Sequence, residues 1–253
     1  MCKSCRYFYI NFEYKKEDLS MNQKQLIDAL NTYKISCSSE QLNMLFSFMK
    51  YTLSENEKFN LTAITDEPSF IEKMIFDSAM ALHGISVEGK KVIDVGTGAG
   101  YPGMVIRILS PKADVSLLDS TAKKITHLEN FASKNSLDIT GLAVRAEDFS
   151  RNNKEVYDYA FARAVAPLPI LLEVIIPMLK VNGYFVALKG AGYEDELKDS
   201  ISALKKLNCI IEDKFVFNLP ESGDGRAIIR IKKIKPTHKK FPRQYTDIKR
   251  QPL

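Results

Sequence analysis

The sequence of 253 residues predicts an α/β fold, in which helices cover both faces of a parallel sheet. From residue 91 onward, short runs rich in β-branched and aromatic residues alternate with amphipathic segments of helical spacing. A glycine-rich turn follows the first of these runs directly. In sheets of this kind ligands bind beside the carboxyl ends of the strands, so functional residues are expected directly after each strand.

The alternation divides the second half of the chain into definite elements. The predicted strands are residues 91–95, 114–119, 141–145, 157–163, 184–189, 209–219 and 227–234. The predicted helices between them are residues 102–110, 122–135, 168–179 and 194–207. Up to about residue 85 the apolar spacing is helical, with a third helix expected at 69–83.

Four segments follow from this pattern. Residues 1–20 are expected to form a disordered extension, 21–85 a helical part, 86–235 the ligand-binding domain and 236–253 a basic tail. No apolar run approaches the roughly 18–20 residues of a membrane span, and no signal peptide is recognisable, so we expect a cytoplasmic protein. Cys2 and Cys5 form only half of a zinc-ribbon pattern, so we predict no metal site.

The turn after the first strand has two interpretations. Residues 94–103 read DVGTGAGYPG and contain a G-x-G-x-x-G pattern, which is also found in dinucleotide-binding proteins. A pyrophosphate needs a helix start without a nearby negative charge, but Asp94 lies just before Gly96 and Gly98. A carboxylate there favours the cationic amino and sulfonium groups of S-adenosylmethionine. We therefore predict an S-adenosylmethionine site that includes these three residues.

Acidic residues also follow the next two strands. Asp119 lies 19 residues after Gly100, close to the spacing of about 20 that is typical of a carboxylate gripping a ribose diol. After the third strand, Glu147 or Asp148 is placed to accept a hydrogen bond from an adenine amino group. Both Asp119 and Asp148 also suit helix N-caps, so each has a purely structural alternative.

The residues at the end of the fourth strand exclude two kinds of methyl acceptor. Arg163 and residues 164–167 (AVAP) include no Asn/Asp-Pro-Pro-aromatic sequence for an exocyclic amine and no Cys nucleophile for a pyrimidine carbon. A ring nitrogen with an exposed lone pair needs neither. Guanine N7 is such an atom, and its methylation requires alignment and a suitable field rather than a general base.

Eight stretches in order resemble the ribosomal RNA small-subunit methyltransferase G family, also called glucose-inhibited division protein B. They are 59–64 (FNLTAI), 77–78 (DS), 94–103 (DVGTGAGYPG), 118–120 (LDS), 123–124 (KK), 145–147 (RAE), 162–167 (ARAVAP) and 188–190 (LKG). The resemblance implies a Rossmann-like class I methyltransferase fold, with a mostly parallel seven-stranded sheet, an antiparallel last strand and an N-terminal helical extension. It also implies methylation of N7 of one guanine in small-subunit (16S) rRNA.

The resemblance assigns cofactor contacts to Gly96, Tyr101, Ala146, Glu147 and Arg163. Tyr101 is expected to pack along S-adenosylmethionine, and Arg163 to lie near its methionine end or the incoming base. The implied partner is small-subunit rRNA or the 30S subunit. Nothing in the sequence requires more than a monomer, and no membrane partner is expected.

The charge is concentrated at the C-terminal end of the chain. Residues 226–253 hold ten Lys or Arg against one Asp, a net charge of +9, whereas the remainder holds 26 basic and 30 acidic residues. On charge alone, a polyanionic partner and a solvated tail fit equally. The resemblance favours RNA, and the predicted RNA contacts are Lys189, Lys239, Lys240, Arg243, Lys249 and Arg250. Phe241 and Tyr245 are expected to stack on bases.

Three other functions compete with this interpretation. A small-molecule methyltransferase explains the glycine turn but leaves the basic segment without a role. An NAD-dependent oxidoreductase is disfavoured by Asp94. A non-catalytic rRNA-binding assembly factor would keep the basic segment but lack a working cofactor site, so cofactor binding distinguishes it.

Overall fold

A computed structural model describes residues 21–253 and contains a seven-stranded sheet in the order β3-β2-β1-β4-β5-β7-β6. The strands are β1 (Lys91–Val95), β2 (Asp114–Asp119), β3 (Thr140–Ala143), β4 (Tyr157–Arg163), β5 (Leu179–Gly190), β6 (Cys209–Asn218) and β7 (Gly225–Lys233). Strands β1 to β5 pair in parallel, while β7 is antiparallel to both β5 and β6. The predicted fold, including the antiparallel last strand, is confirmed. The expectations for residues 1–20 and for Cys2 and Cys5 lie outside the described residues.

Helices surround the sheet and also precede it. The α-helices are α1 (Gln23–Thr32), α2 (Ser39–Phe59), α3 (Glu67–Phe70), α4 (Asp77–Ala79), α5 (Gly103–Leu109), α6 (Ala122–Lys134), α7 (Ala146–Asn152), α8 (Leu168–Ile175), α9 (Tyr193–Asp199), α10 (Ile201–Lys206) and α11 (Tyr245–Arg250). A π-helical turn, Ile71–Phe76, joins α3 to α4. No helix within residues 21–253 is long and apolar enough to cross a bilayer.

Two apolar cores lie on opposite faces of the sheet because neighbouring residues of a strand point to opposite sides. In β1, Val92 belongs to one core and Ile93 to the other, and both side chains are fully buried. The first core takes in the N-terminal helices together with α5 and α6. The second takes in α8, α10 and α11. The N-terminal helices are therefore part of one face of the domain.

Helix α2 begins with a capping box that also connects it to α5. Ser38 accepts a hydrogen bond from the backbone N–H of Gln41 at 3.2 Å, and the Gln41 side chain accepts one from the backbone of Ser38 at 2.9 Å. Such a capping box stabilises a helix start by about 1 kcal/mol. Gln41 Nε2 also donates to the Ile108 carbonyl at 3.0 Å. The same residue thus begins α2 and ties it to the end of α5.

Several element boundaries differ from the predicted ones. The helix predicted at 168–179 ends at Ile175, because Pro177 lies in a following 3₁₀ turn and cannot continue the α-helical bonding. The helix predicted at 194–207 is divided at Ser200 into α9 and α10. The strand predicted at 184–189 begins earlier, at Leu179, which pairs with Tyr157 of β4.

The C-terminal segment packs against the domain. Phe241 is 3% exposed and Ile248, in α11, is fully buried in the second core. The prediction that Phe241 stacks on RNA bases is therefore wrong, because its ring belongs to the apolar core. The exposed basic residues of this segment, which are Lys239, Lys240, Lys249 and Arg250, therefore lie on an anchored peptide.

Candidate active site

A cavity of about 470 Å³ opens at the carboxyl edge of the sheet, where β1, β2 and β4 end. Parallel strands place their carboxyl ends side by side, so residues distant in sequence converge there. The cavity is lined by seven of the eight predicted cofactor residues, namely Gly96, Gly98, Tyr101, Asp119, Ala146, Glu147 and Arg163.

The glycine turn forms the floor of this cavity. Gly96 and Gly98 have φ values of +74° and +58°, a region that favours glycine. A Cβ on Gly96 would lie 2.5 Å from Val165 Cγ2, so a side chain there would collide with the loop after β4. Around Gly98, by contrast, a Cβ would find nothing closer than 3.9 Å. The turn therefore brings bare backbone to the cavity.

Asp94 links the start of the glycine turn to the start of α5. Its side chain is fully buried, and Oδ2 accepts a hydrogen bond from the Gly103 N–H at 2.8 Å, at the start of α5. Burial raises the pKa of this carboxyl to about 6. Asp94 lies outside the residues that line the cavity. The role visible in the structure is to hold the loop and the helix start together.

Asp119 joins the ends of β1 and β2. Its Oδ2 accepts a hydrogen bond from the Gly98 N–H at 3.1 Å, and its Oδ1 accepts one from the Thr121 N–H at 2.8 Å. Lys124 Nζ lies 3.8 Å from Oδ2. The carboxylate therefore shapes the glycine turn and also lines the cavity. The N-cap of α6 is Thr121, so the alternative role of Asp119 as that N-cap is not realised.

The two acids after β3 have different surroundings. The Glu147 side chain is 12% exposed, lines the cavity and lies 3.9 Å from Arg145 Nε. Asp148 is 56% exposed and pairs with Arg151 at 2.8 Å. Of the two, Glu147 is therefore the one that faces the cavity, while Asp148 forms an ion pair within α7.

Arg163, the last residue of β4, is anchored to the N-terminal helical part. Its Nη1 donates to the Lys73 carbonyl at 2.6 Å and lies 3.3 Å from Asp77 Oδ2. Asp77 also pairs with Arg226 at 3.4 Å, so one buried carboxylate serves two arginines. This network fixes the guanidinium of Arg163 at the cavity wall.

The loop after β4 forms the rim beside Arg163. Ala164 has a φ of +55°, which is uncommon for a residue other than glycine and turns the chain sharply. Val165, which follows, is 44% exposed and lines the cavity. Leu61 and Thr62 also line it. Thr62 is held by Asn56, which accepts from its N–H at 2.8 Å and donates to its carbonyl at 3.0 Å.

Tyr101 is held rigidly by aromatic neighbours. Its ring stacks on Phe48 with a centroid distance of 5.1 Å and meets Phe70 edge-on at 5.4 Å. The residue is 3% exposed, and burial raises the pKa of its hydroxyl. It lines the cavity while lying within the first core. The N-terminal helices therefore set the position of this wall.

Comparison with known proteins identifies the family. Residues 40–225 match the family model described as rRNA small subunit methyltransferase G. The protein of that name from Lactobacillus acidophilus is 38% identical over 239 residues, which cover 92% of this chain and 100% of the relative. The one from Thermoanaerobacter pseudethanolicus is 44% identical over 213 residues, covering 81% and 89% respectively. The chain belongs to the rRNA small subunit methyltransferase G family. The predicted family and the predicted class of function, methylation of small-subunit rRNA, are thereby confirmed.

A solved structure supports the fold independently. The crystal structure of M. jannaschii TYW2 in complex with AdoMet superposes with a TM-score of 0.54 and 19% identity, covering 68% of this chain and 80% of that one. At this identity the likeness concerns the fold alone.

In this member of the rRNA small subunit methyltransferase G family, two of the predicted RNA contacts are engaged within the protein. Lys189 is 8% exposed in its side chain, pairs with Glu196 at 2.7 Å and donates to the Ala166 carbonyl at 2.9 Å. Arg243 pairs with the fully buried Glu173 at 2.6 Å. Both residues are thus occupied in holding elements together.

The other four predicted RNA contacts are exposed to solvent. Lys239, Lys240 and Lys249 are exposed and have no salt-bridge partner among residues 21–253. Arg250 is 79% exposed but pairs with Asp247 at 3.0 Å. The structure therefore divides the predicted RNA contacts into an exposed set of four and an internal set of two.

The sequence did not predict that Tyr245 lines the cavity. It belongs to α11 and lines the cavity, with its ring centroid 5.9 Å from the guanidinium carbon of Arg145. Its separation from the glycine turn is about 150 residues, and no local pattern marked it as a cavity residue. Leu61 and Thr62 lie in one of the family stretches, but that stretch suggested no contact.

Proposed function

We propose that this protein transfers a methyl group from S-adenosylmethionine to N7 of a guanine in small-subunit rRNA. The observation that carries the choice of N7 is the composition of the rim after β4. Among the cavity-lining residues of the described chain, the rim holds Arg163, Ala164, Val165 and Ala166, and none of them is a general base or a nucleophile. Guanine N7 carries no proton and presents a lone pair, so it requires neither.

The residues of the cavity fit S-adenosylmethionine. Gly98 leaves open space beside bare backbone, Asp119 supplies a carboxylate for hydroxyl groups, and Glu147 supplies one for an amino group. We propose that Gly96, Tyr101, Ala146 and Arg163 complete this binding set. Asp94 would act through the loop that it supports and through its negative charge near a cationic ligand.

S-adenosylmethionine supplies an electrophilic methyl group on a positively charged sulfur. The protein's task is then to align the acceptor atom with that methyl group and to exclude water. The rim residues Leu61 and Val165 offer apolar surface for a flat base at the mouth of the cavity. Arg163 is fixed by Asp77 and the Lys73 carbonyl, so it can donate hydrogen bonds to a base or a carboxylate without reorganising.

The RNA partner would be held by charge outside the cavity. We propose that Lys239, Lys240, Lys249 and Arg250 contact phosphates, since these side chains project from the anchored C-terminal segment. Lys189 and Arg243 are left out of this surface because their cationic groups are paired with Glu196 and Glu173. We further propose that a monomer acts on the 30S subunit, and that residues 21–85, 86–235 and 236–253 work together.

The decisive experiment supplies methyl-labelled S-adenosylmethionine with 30S subunits, protein-free 16S rRNA or free nucleosides. Labelled rRNA is digested to nucleosides and analysed by chromatography and mass spectrometry. We expect 7-methylguanosine from one position and faster labelling of the 30S subunit than of free rRNA.

Each alternative predicts a different result. Label on small molecules alone would support a small-molecule methyltransferase. Binding of rRNA without binding of S-adenosylmethionine would support an assembly factor. Label on another atom of the nucleobase would overturn the assignment to N7 while leaving the enzyme class intact.

A further inference from the structure

We infer that Tyr245 binds the adenine of S-adenosylmethionine, so that the C-terminal segment completes the cofactor site. The inference rests on the proposed function, because it takes S-adenosylmethionine as the ligand. Tyr245 is the first residue of α11 and lines the same cavity as the glycine turn.

The position of Tyr245 relative to the sheet identifies the part of the ligand that it would meet. The sheet order places β2 and then β3 on one side of the central strand β1. Asp119 ends β2 and is placed for a ribose, so the base lies farther along the edge, toward β3. Arg145, Ala146 and Glu147 follow β3, and the Tyr245 ring lies beside Arg145. Tyr245 is therefore on the adenine side of the cavity.

The chemistry of the side chain suits a purine. An aromatic ring offers a flat apolar face to any base, and stacking on such a face contributes roughly tenfold or more to affinity. Arg145 lies 5.9 Å from the ring centroid and can keep the ring in place through a cation–π contact. Glu147 lines the same cavity, lies 3.9 Å from Arg145 Nε and can accept a hydrogen bond from the exocyclic amine.

The ring is held in position by the packing around it. Arg151 Nη2 donates to the Arg243 carbonyl at 3.0 Å and to Gln244 Oε1 at 3.0 Å, immediately before Tyr245. Ile248, one turn later in α11, is fully buried. The segment is therefore fixed on both sides of Tyr245, and little ordering is required when a ligand binds.

The test measures binding of S-adenosylhomocysteine to the full chain by isothermal titration calorimetry. Tyr245→Leu removes the aromatic ring and keeps apolar bulk, Tyr245→Phe keeps the ring, and Thr246→Ala is an exposed control in the same helix. We expect about a tenfold loss of affinity for the Leu variant and a change below about twofold for the other two. Thermal melting of each variant monitors folding.

A second readout locates the adenine directly. S-adenosylmethionine that bears an azide on adenine C8 is photolysed in complex with the wild-type chain, which is then digested with trypsin. Cleavage after Arg243 and Lys249 releases residues 244–249 as one peptide, and we expect label on it.

The outcomes separate the inference from the proposed function. If the wild-type chain binds neither S-adenosylhomocysteine nor the azide, the proposed function fails. If it binds them, but the Leu variant binds as tightly as wild type and the 244–249 peptide carries no label, the assignment of Tyr245 is overturned.

Discussion

The guanidinium of Arg243 forms two hydrogen bonds to the carboxylate of Glu173, from Nε to Oε1 at 2.8 Å and from Nη2 to Oε2 at 2.6 Å. The backbone N–H of Arg243 adds a third at 3.0 Å. Glu173 lies in α8 and is completely buried, whereas Arg243 belongs to the C-terminal segment. A paired arrangement of this kind satisfies both oxygens of a carboxylate that would otherwise be costly to bury.

Replacing Arg243 by Ala is expected to lower the free energy of unfolding by about 3 kcal/mol, because Glu173 is left buried with an unpaired charge. Urea denaturation measures this loss. Arg250→Ala, which breaks an exposed pair with Asp247, serves as the control and is expected to cost less than about 1 kcal/mol. Equal losses for the two variants would contradict a structural role for the buried pair.

Replacing Gly96 by Ala is expected to weaken binding of S-adenosylhomocysteine at least about tenfold. The backbone φ of +74° disfavours a side chain, and the new methyl group would collide with Val165. Calorimetric titration checks the affinity. Gly192→Ala is the control, since Gly192 has a φ of −80° and open space around it. Val165→Ala added to the Gly96 variant should restore part of the affinity by relieving the collision, and no recovery would assign the effect to φ alone.

His127 is expected to make the protein sensitive to acid. Burial lowers its pKa to about 4, and its ring stacks on Tyr51 with a centroid distance of 4.6 Å. Because the folded state disfavours the proton, stability is present above the unfolded pKa of about 6.5 and is lost as the pH falls toward 4. Between pH 7 and pH 5 we expect the free energy of unfolding of the wild type to fall by about 2 kcal/mol more than that of His127→Phe.

Urea denaturation of both proteins across this pH range provides the measurement. Phe keeps an aromatic ring against Tyr51 but cannot be protonated, so it isolates the titration from the packing. Parallel pH profiles for the two proteins would show that His127 does not cause the acid sensitivity.

Charge reversal at Lys239 and Lys240 is expected to weaken binding to 16S rRNA and to leave binding of S-adenosylhomocysteine unchanged. Each lost phosphate contact reduces the steepness of the plot of log affinity against log salt by about 1. The slope of the double variant should therefore be less steep by about 2. Lys205→Glu with Lys206→Glu makes the same change of net charge on α10, where both residues are exposed. If both pairs weaken RNA binding equally, net charge alone explains the effect.

Much of the fold could be predicted from local patterns. The bounds of β1, β2 and β4 agree with the predicted segments, because each is a compact run of buried residues bounded by polar or glycine-rich sequence. The third predicted helix, 69–83, was right as a helical region, but it contains a π-helical turn at Ile71–Phe76 that its spacing did not indicate. Edges and irregular turns depend on neighbours that a local pattern does not include.

The membership of the cavity was also largely predictable. Gly96, Asp119, Glu147 and Arg163 follow different strands, and parallel pairing brings those strand ends to one edge. The side-chain partners were not predictable. Asp94 was expected to face the ligand, but its carboxylate supports Gly103 from a fully buried position.

The sequence by itself determined the succession of strands and helices along the chain, the glycine turn and the family. Only the tertiary structure decided which charges are paired and which rings are buried. Arg243 and Glu173 are 70 residues apart, and the C-terminal Tyr245 reaches a cavity built around Gly96. Local sequence sets the backbone conformation and the exposed face of an element, whereas the partner of a charge or ring depends on which distant elements pack together.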